Sequence, residues 1–324
     1  MVAASRMRDI PAVICSFMAD FGSRRCGLDV RRDEIDGISV VRVVDWDRFG
    51  WLRHGFSTRL GGVSRVYGGD LSAHGRGSVG GSLNLGWTKE DDPAAVKENR
   101  RRFLRGVRGA DAGGAMVGVR QVHSGVVRVV REGDGALEGR LETAEGKALL
   151  EGDGLMTNVP GVLVGVGTAD CVPVLVVDVE KKVVAAFHAG WRGTVARIVE
   201  LGVAKMREEY GSRVEDLVAA VGPSIGSCCY SVGDEVRERF AREFKYGEEL
   251  FRVGGEDDLE GMYLDLWEAN LRQLMGAGLT EQQITMVGEC TACAREESGG
   301  LRYFSHRGEM GVAGRMLNVV GVVG

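Results

Sequence analysis

The stretch TADCVPVLVVDVEKKVVAAFHAGWRG, residues 168–193, consists of two apolar runs on either side of a charged turn. Such runs predict a β-hairpin, with Cys171 at the outer end of the first strand and His188 at the outer end of the second. If the turn centres on Val179 and Glu180, Cys171 lies directly opposite His188, with Cβ atoms roughly 4.5–5.5 Å apart. The pairing is a hypothesis, because a one-residue slip would place the two side chains on opposite faces. At that distance a thiol and an imidazole can bind one metal ion, or the imidazole can deprotonate the thiol.

The composition is that of an ordinary soluble globular protein, with 324 residues, 44% hydrophobic and 27% charged. A net charge of −5 gives no basic surplus, so we expect no nucleic-acid partner. The apolar patch at 10–18 contains Pro11 and is far shorter than a membrane span, which predicts no membrane association. Seven cysteines without a secretion signal predict reduced thiols and a cytoplasmic location.

The order of the predicted elements indicates one domain. Residues 1–37 form a polar, irregular N-terminal extension in which partial disorder is expected, and residues 38–324 form that domain. Strands are predicted at 39–44, 162–167, 172–178, 183–188 and 215–222 and at the C-terminal end of the sequence, and helices at 91–107, 194–210, 233–244 and 264–278. The stretch 51–64 is predicted as a strand that leads into a Gly-Gly turn, and the stretch 115–130 is β-rich. Strands and helices alternate without strict βαβ periodicity, so the expected fold class is α/β: a single, loop-rich, mixed-sheet domain with helices packed around β-sheets.

Three residues have the ligand types that zinc prefers. His123 and His188 each end a strand-like run in Gly-flanked, polar surroundings, and Cys171 follows the sequence Ala-Asp after an apolar strand. Two imidazoles and one thiolate leave the fourth zinc position open, as in catalytic sites. Ligand softness also allows copper, less favoured here. Asp170 is expected to orient a ligand histidine or to act as a base, whereas His54 is open to a structural or a substrate-facing role.

The remaining cysteines give no clear site in the sequence. Cys290 and Cys293 form a single C-x-x-C motif, CTAC, without a second pair at zinc spacing. Cys228 and Cys229 are adjacent, a spacing that does not suggest shared ligation. The sequence therefore favours incidental or buried thiols.

Several motifs together resemble the YfiH-like family, also called laccase-domain, multicopper polyphenol oxidase or peptidoglycan editing factor. The motifs HGFSTRLGGVS, SLNLG, DDPAAVKENR, RQVHSG, GDGLMTNVPGVLVGVGTADCVPVLVVD, AFHAGWRGTV, VGPSIGSCCYSVG and FSHRGEMGVAGR occur in the family's order between residues 50 and 322. In that family the histidine of QVH, the cysteine of ADC and the histidine of HAGWRG bind zinc. The resemblance assigns these roles to His123, Cys171 and His188. An insertion at 69–80, and His306 where the family often has tyrosine, depart from the pattern.

The resemblance also implies an activity. Family members resemble zinc-dependent purine nucleoside phosphorylases that act on adenosine, inosine, guanosine and methylthioadenosine and that also deaminate adenosine. The expected partners are therefore purine nucleosides and phosphate. Laccase activity is disfavoured, since five histidines cannot supply both a blue-copper site and a trinuclear cluster.

Phosphate requires cationic or N–H donors. Arg59, beside a Gly-Gly pair, is the first candidate, and Arg192 is a second that can equally cap the structure. Asn84 in SLNLG is a candidate lining residue. As catalytic residues the sequence suggests Cys171, His188, His123 and Asp170.

Two other classes of function stay open. Cys171 with His188 as base fits a cysteine hydrolase, and such a hydrolase can act in editing peptidoglycan precursors. A structural metal site in a binding protein fits less well, because three ligands leave zinc incomplete. The sequence ranks neither the nucleosides nor the oligomeric states, monomer or homodimer.

Overall fold

A computed structural model describes residues 29–67, 81–109, 113–254 and 261–324. The strands are β1 Val30–Ile35, β2 Ile38–Val43, β3 Leu52–Ser57, β4 Ala115–Val117, β5 Val127–Val130, β6 Gly154–Thr157, β7 Val162–Thr168, β8 Val172–Asp178, β9 Val183–Ala189, β10 Leu217–Val221, β11 Ser231–Val232, β12 Phe251–Val253, β13 Met262–Leu264, β14 Ile284–Met286 and β15 Met316–Val322. The α-helices are α1 Pro93–Arg108, α2 Trp191–Val195, α3 Ile198–Tyr210, α4 Asp234–Glu243 and α5 Leu266–Gly276.

Two six-stranded mixed sheets form the centre of the molecule. The first has the order β1-β2-β3-β15-β7-β4, and the second has the order β14-β10-β8-β9-β6-β5. A small antiparallel sheet, β11-β13-β12, lies beside them. Both large sheets contain parallel and antiparallel pairs, since β4 runs parallel to β7 and β5 parallel to β6. The predicted mixed α/β fold is confirmed.

The two sheets pack face to face between helices. Apolar side chains of both sheets fill the space between them, among them Phe56, Val164, Leu175, Val184 and Val320. Helix α1 covers the outer face of the first sheet, and α3 and α5 cover the outer face of the second. The result is a four-layer helix–sheet–sheet–helix arrangement, in which the central strands are apolar on both faces because both faces are buried.

The β8–β9 hairpin forms as predicted, but its register differs by two residues. Asp178 pairs with Val183 and Pro173 pairs with His188, so the predicted pairing of Cys171 opposite His188 is wrong. The Asp178 carboxylate accepts hydrogen bonds from the N–H groups of the next residues, 180 and 181, and so stabilises a longer, four-residue turn. A shift by two keeps every side chain on its predicted face because the strand period is two. Cys171 and His188 are thus diagonal neighbours at the same end of the hairpin.

Two further elements differ from the sequence prediction. The helix predicted over 194–210 is two helices, α2 and α3, interrupted at Arg197, which has a left-handed φ of 57°. Strand β1 falls within the predicted N-terminal extension and pairs along its length with β2. The rest of that extension, residues 1–28, and the insertion at 69–80 lie outside the described residues.

In the described part of the chain, no helix is both long enough and apolar enough to cross a bilayer.

Candidate metal centre

The candidate site lies where the chain passes between the two large sheets. Strand β4 of the first sheet leads into β5 of the second, and His123 lies in that connection. Strand β7 of the first sheet leads into β8 of the second through a short connection that contains Cys171. His188 lies near the end of β9, which pairs with β8. Both crossovers leave the parallel strands β4 and β7 at the same end, and this brings the three side chains together.

The ligand atoms of His123, Cys171 and His188 all lie within 4.8 Å of one another. The two imidazole rings are 5.0 Å apart between centroids and meet edge to face at 71°. His188 is 3% exposed, Cys171 is partly exposed, and His123 is exposed. Two imidazole nitrogens and one sulfur at this spacing fit a single zinc-type ion with one position left for water or substrate.

Without a metal, the thiol and the imidazole form a charged pair. Burial raises the pKa of Cys171, but the charge of His188 and hydrogen bonds from both histidines outweigh it and lower the pKa to about 6. Burial lowers the pKa of His188, but the Cys171 thiolate and the Asp153 carboxylate outweigh it and raise the pKa to about 9. The site therefore favours a thiolate, the form of cysteine that binds metals and attacks electrophiles.

A buried carboxylate that sequence reasoning missed positions two of the three ligands. Asp153 Oδ1 accepts a hydrogen bond from His188 Nδ1 at 2.9 Å, which leaves Nε2 for a metal. The same carboxylate accepts backbone N–H groups of Val122, His123 and Ser124 at 3.3, 3.0 and 2.6 Å. Burial opposes ionisation, yet these hydrogen bonds lower the pKa of Asp153 to about 2. The signal in the sequence is Asp153 between two glycines, directly before an apolar strand.

Two neighbouring residues complete the frame around the ligands. The side-chain amide of Gln121 exchanges two hydrogen bonds with the backbone of Gly167, both at 2.8 Å, and so ties the His123 loop to β7. His123 itself has a left-handed φ of 60°, a conformation uncommon for residues other than glycine. A Cβ on Gly190 would lie 2.7 Å from Cys171 Sγ and 3.3 Å from His123 Cδ2. Only glycine at 190 lets the chain pass this close to two ligands.

Asp170 does not contact a ligand histidine, contrary to its predicted orienting role. Its carboxylate accepts hydrogen bonds from Thr291 Oγ1 and from the N–H of Arg307, both at 2.7 Å. Its carbonyl accepts the N–H of Ile225 at 2.9 Å. Asp170 thus ties the turn before Cys171 to two other loops, while the predicted orienting role falls to Asp153.

A pocket of about 570 Å³ is lined by Trp191, Tyr230, Ser231, Val232, Gly233 and Arg307, among others. It adjoins the candidate site through Trp191, which follows His188 closely in the chain, and through Arg307, whose N–H donates to Asp170 beside Cys171. Burial and the negative charge of Cys171 raise the pKa of Tyr230 to about 12, against the opposing effect of Arg307. Tyr230 is therefore a neutral hydrogen-bond donor at physiological pH. The exposed Arg192 guanidinium stacks on the Trp191 ring at 4.3 Å.

Arg59 has protein partners for its guanidinium. It forms an ion pair with Glu309 at 3.1 Å, donates to the carbonyl of Tyr67 at 2.5 Å and lies 4.7 Å over the Phe304 ring. Its side chain is mostly buried. These contacts explain Arg59 as a structural residue that joins the loop after β3 to the 303–309 segment.

Asn84 is fully buried and bonded within the protein. Its amide nitrogen donates to Asp91 at 2.7 Å, and its oxygen accepts from the N–H of Arg315 at 2.9 Å. The prediction that it lines the pocket is not supported by these contacts. His54 is also structural, since its buried Nε2 accepts the N–H of Val43 at 2.9 Å.

The structure brings together four cysteines that the sequence interpretation kept apart. The sulfurs of Cys228, Cys229, Cys290 and Cys293 all lie within 4.8 Å of one another. The expectation that neither pair can complement the other is therefore wrong, because the adjacent cysteines on one loop meet the C-x-x-C turn on another.

Comparison with known proteins agrees with the fold and with the motifs. Residues 53–323 match the model of a family described as multi-copper polyphenol oxidoreductase laccase. A purine nucleoside phosphorylase of Deinococcus radiodurans is 36% identical over 269 residues, which are 83% of this chain and 88% of that protein. An adenosine deaminase, RL5, from an unknown prokaryotic organism is 40% identical over 176 residues, 54% of this chain and 64% of that protein.

Two solved structures share the fold. The hypothetical protein YfiH of Bacillus licheniformis aligns with a TM-score of 0.72 at 29% identity and covers 91% of this chain and 99% of that one. YlmD of Geobacillus stearothermophilus aligns with a TM-score of 0.71 at 31% identity and covers 91% of this chain and 100% of that one. With a family model matched over most of its length and relatives of the same extent, the chain belongs to the YfiH-like family of laccase-domain proteins.

Proposed function

We propose that this chain is a zinc-dependent purine nucleoside phosphorylase that also deaminates adenosine. It would convert adenosine, inosine, guanosine or methylthioadenosine and phosphate into the free base and the pentose 1-phosphate. The observation that carries the proposal is the convergence of His123, Cys171 and His188 beside a pocket lined by Trp191 and Tyr230. The names of relatives at 36% and 40% identity, a phosphorylase and a deaminase, support it.

Zinc is the metal that this ligand set fits best, since two imidazoles and one thiolate are its usual ligand types. When bound, zinc supplies a Lewis acid that can polarise a phosphate or activate a water, the two reactants that the two activities need. The protein supplies one ligand already in its metal-binding form, because the electrostatic surroundings keep Cys171 ionised. Asp153 holds the His188 ring through Nδ1, and metal binding has to displace the proton that His188 carries on Nε2.

The nucleoside base is expected to bind on the aromatic wall of the pocket. Trp191 and Tyr230 present ring surfaces on which a purine can stack. Tyr230 keeps its proton at physiological pH and can donate a hydrogen bond to a base nitrogen or a ribose oxygen. The roles of Asp170 in proton transfer and of Asn84 in substrate binding lose support, because both side chains are bonded elsewhere.

Phosphate is expected to bind near Arg192. Within the described residues its guanidinium contacts the Trp191 ring and has no hydrogen-bond acceptor, whereas Arg59 is paired with Glu309. Arg307 lines the pocket itself, whereas Arg192 follows the lining residue Trp191, but Arg307 already donates to the carbonyl and hydroxyl of Ser231. Arg192 thus replaces Arg59 as the first candidate for the phosphate contact.

A phosphate-dependent assay on adenosine and inosine tests both the activity and this assignment. Arg192→Gln should raise KM for phosphate by about one to two decades, since loss of a charge-assisted hydrogen bond costs on the order of 1.5–3 kcal/mol. KM for the nucleoside should change little. Arg59→Gln is the matched control and should lower thermal stability while leaving KM for phosphate near the wild-type value. Equal rises in both KM values for Arg192→Gln would contradict the assignment, and release of base without phosphate would contradict phosphorolysis.

A cysteine hydrolase is the second candidate, because the metal-free site contains a thiolate–imidazolium pair. Such an enzyme could act on peptidoglycan precursors. Alkylation by iodoacetamide distinguishes the zinc-dependent phosphorylase from the cysteine hydrolase. A metal-bound thiolate is shielded, so zinc-loaded protein should resist alkylation of Cys171, and removal of the metal should expose it and abolish turnover. Rapid alkylation of Cys171 in zinc-loaded protein, seen by peptide mass mapping, would favour the hydrolase.

The family description names a polyphenol oxidase, and copper binding by the three ligands is chemically allowed. Five histidines cannot also hold a trinuclear cluster, so a phenol-oxidase assay on copper-loaded protein should show no multicopper-type turnover.

We propose further that the enzyme is cytoplasmic and acts on small molecules without binding nucleic acid or membranes. We also propose that it consists of an extension at 1–37 and one catalytic domain at 38–324. Strand β1 extends the first sheet from the extension side of this boundary. Limited proteolysis followed by mass spectrometry maps the boundary.

A further inference from the structure

A second group of metal-ligand side chains lies outside the site described above. Cys228 and Cys229 occupy the turn after β10, and Cys290 and Cys293 occupy the turn after β14. Strands β10 and β14 are parallel neighbours, so both turns leave the same end of the second sheet. The parallel pairing therefore explains why residues more than sixty positions apart meet.

The spacing of the sulfurs fits one tetrahedral ion. A zinc ion with Zn–S bonds of about 2.3 Å separates its sulfur ligands by roughly 3.8 Å. The Cys228 and Cys293 sulfurs are 3.7 Å apart, and all four lie within 4.8 Å of one another. A disulfide requires S–S distances near 2.05 Å, and the five cysteines of the described residues are all free thiols.

The surrounding backbone has features that stabilise thiolates. The N–H of Gly226 donates to Cys290 Sγ at 3.3 Å, and such N–H bonds to sulfur lower the charge that a metal site must bear. The N–H of Ala294 donates to the carbonyl of Cys290 at 2.8 Å, which closes the C-x-x-C turn so that both sulfurs point to one place. Arg252 donates to the carbonyl of Ser227 at 2.7 Å and places a positive charge near the cluster.

We propose that Cys228, Cys229, Cys290 and Cys293 bind a structural zinc ion, distinct from the ion of the His123–Cys171–His188 site. Four thiolates complete the coordination of zinc and leave no position for substrate, which is the pattern of a structural site.

The four-cysteine site joins the loops that form one wall of the active-site pocket. The turn after β10 leads directly into Tyr230, and the N–H of Ile225 in that turn donates to the carbonyl of Asp170. The turn after β14 contributes Thr291, whose hydroxyl donates to the Asp170 carboxylate. Zinc at the four cysteines thus fixes the position of Tyr230 and of the turn that precedes Cys171.

Metal content of the full-length chain, purified under reducing conditions and measured by plasma emission, tests the proposal. Wild-type protein should contain two zinc ions per chain. The double variant Cys228→Ser/Cys293→Ser and the single variant Cys171→Ala should each contain one, and their combination none. The two serine substitutions are at exposed side chains, so the hydroxyl groups stay solvated. The matched control Cys15→Ser/Cys26→Ser should keep both ions.

Two readouts separate loss of the site from loss of the fold. The double variant should retain the zinc of the other site, with a lower melting temperature and a higher KM for the nucleoside, because Tyr230 is held less firmly. Cobalt added to the metal-stripped Cys171→Ala variant should produce a thiolate-to-metal charge-transfer band, and this band should disappear when the two serine substitutions are added.

Three outcomes would overturn the proposal. One is a single zinc ion in wild-type protein that is lost in Cys171→Ala. Another is a metal-free cluster that has lost two hydrogens by intact mass, which indicates a disulfide. The third is iron at the four cysteines, seen by visible absorption, which would replace the assignment to zinc.

Discussion

At the scale of single residues, Asp153 links the two histidine ligands. Its carboxylate holds the ring of His188 and the backbone of His123, so that two ligands from different segments depend on one buried group. Partners of this kind fix the orientation of a ligand ring and increase its basicity. The geometry of the candidate site therefore depends on a residue outside the set of candidate ligands.

Asp153→Asn is expected to weaken metal binding by about 10–100-fold, because an amide replaces the charged acceptor of the His188 N–H. Chelator competition with zinc measures the change. Asp178→Asn is the matched control, since Asp178 is also a fully buried carboxylate in the second sheet that accepts backbone N–H groups, but it lies in the turn at the far end of the hairpin. An unchanged zinc affinity in Asp153→Asn would contradict the positioning role.

Gly190→Ala is expected to displace Cys171. The added Cβ would lie 2.7 Å from its sulfur, closer than real Cβ contacts, so the thiolate or the backbone must move. We expect loss of the active-site zinc and of turnover, with the far-UV spectrum unchanged. Gly50→Ala, where a Cβ meets nothing within 4 Å, is the control and should retain zinc. Full zinc content in Gly190→Ala would show that the backbone around residue 190 can move to accommodate the methyl group, which would contradict the prediction.

At the scale of elements, the site depends on the ends of strands and hardly on helices. The β8–β9 hairpin is recognisable in the sequence because its two apolar runs are long and its turn is charged. The register of the hairpin cannot be recognised in the sequence, because the length of the turn depends on the hydrogen bonds of Asp178. The predicted register was wrong by two residues, but Cys171 and His188 still lie on the same face of the hairpin. Alternate residues of a strand share a face, so a shift by an even number of residues does not change the face.

Strand β3 contains a histidine that makes stability depend on pH. Burial lowers the pKa of His54 to about 3, from 6.5 in the unfolded chain, and Val43 N–H occupies its Nε2. The unfolded state therefore binds the proton first as the pH falls. The contribution of His54 to stability is complete above about pH 6.5 and decreases toward pH 3, by up to about 1.4 kcal/mol per pH unit.

Urea unfolding at pH 7, 6 and 5 measures this effect. His54→Gln, whose amide oxygen can accept the Val43 N–H without titrating, should have a smaller loss of stability between pH 6.5 and pH 5 than wild type. His306→Gln makes the same change at an exposed histidine and should keep the wild-type slope. If the free energy of unfolding depends on pH with the same slope in His54→Gln and in wild type, His54 is not the source of the pH dependence.

At the scale of the whole molecule, stability comes from the contact between the two large sheets, and the site lies where the chain crosses between them. Leu175 in β8 is fully buried in the layer between the sheets. Leu175→Ala is expected to lower the free energy of unfolding by about 2–5 kcal/mol, because it removes a transfer term and leaves a cavity between rigid sheets.

Urea denaturation with zinc-loaded protein measures this cost. Val253→Ala, at a side chain that is 82% exposed, is the control and should change the free energy by less than about 0.5 kcal/mol. If Leu175→Ala lowers the free energy of unfolding by less than about 1 kcal/mol, the two sheets can move together and fill the cavity, and the prediction is wrong.

The sequence by itself determined the mixed α/β class, most strands and helices, and His123, Cys171 and His188 as the candidate metal ligands. It could do so because periodicity and local motifs encode strand, helix and ligand type within short windows. Tertiary structure alone decided which groups meet. Asp153 joins the ligands because β6 starts beside the end of β9, and the four cysteines meet because β10 and β14 are parallel neighbours. Arg59 and Asn84 carry suitable chemistry, but each has a partner far away along the chain, Glu309 for Arg59 and Arg315 for Asn84. Such pairings depend on sheet order, which no local pattern contains.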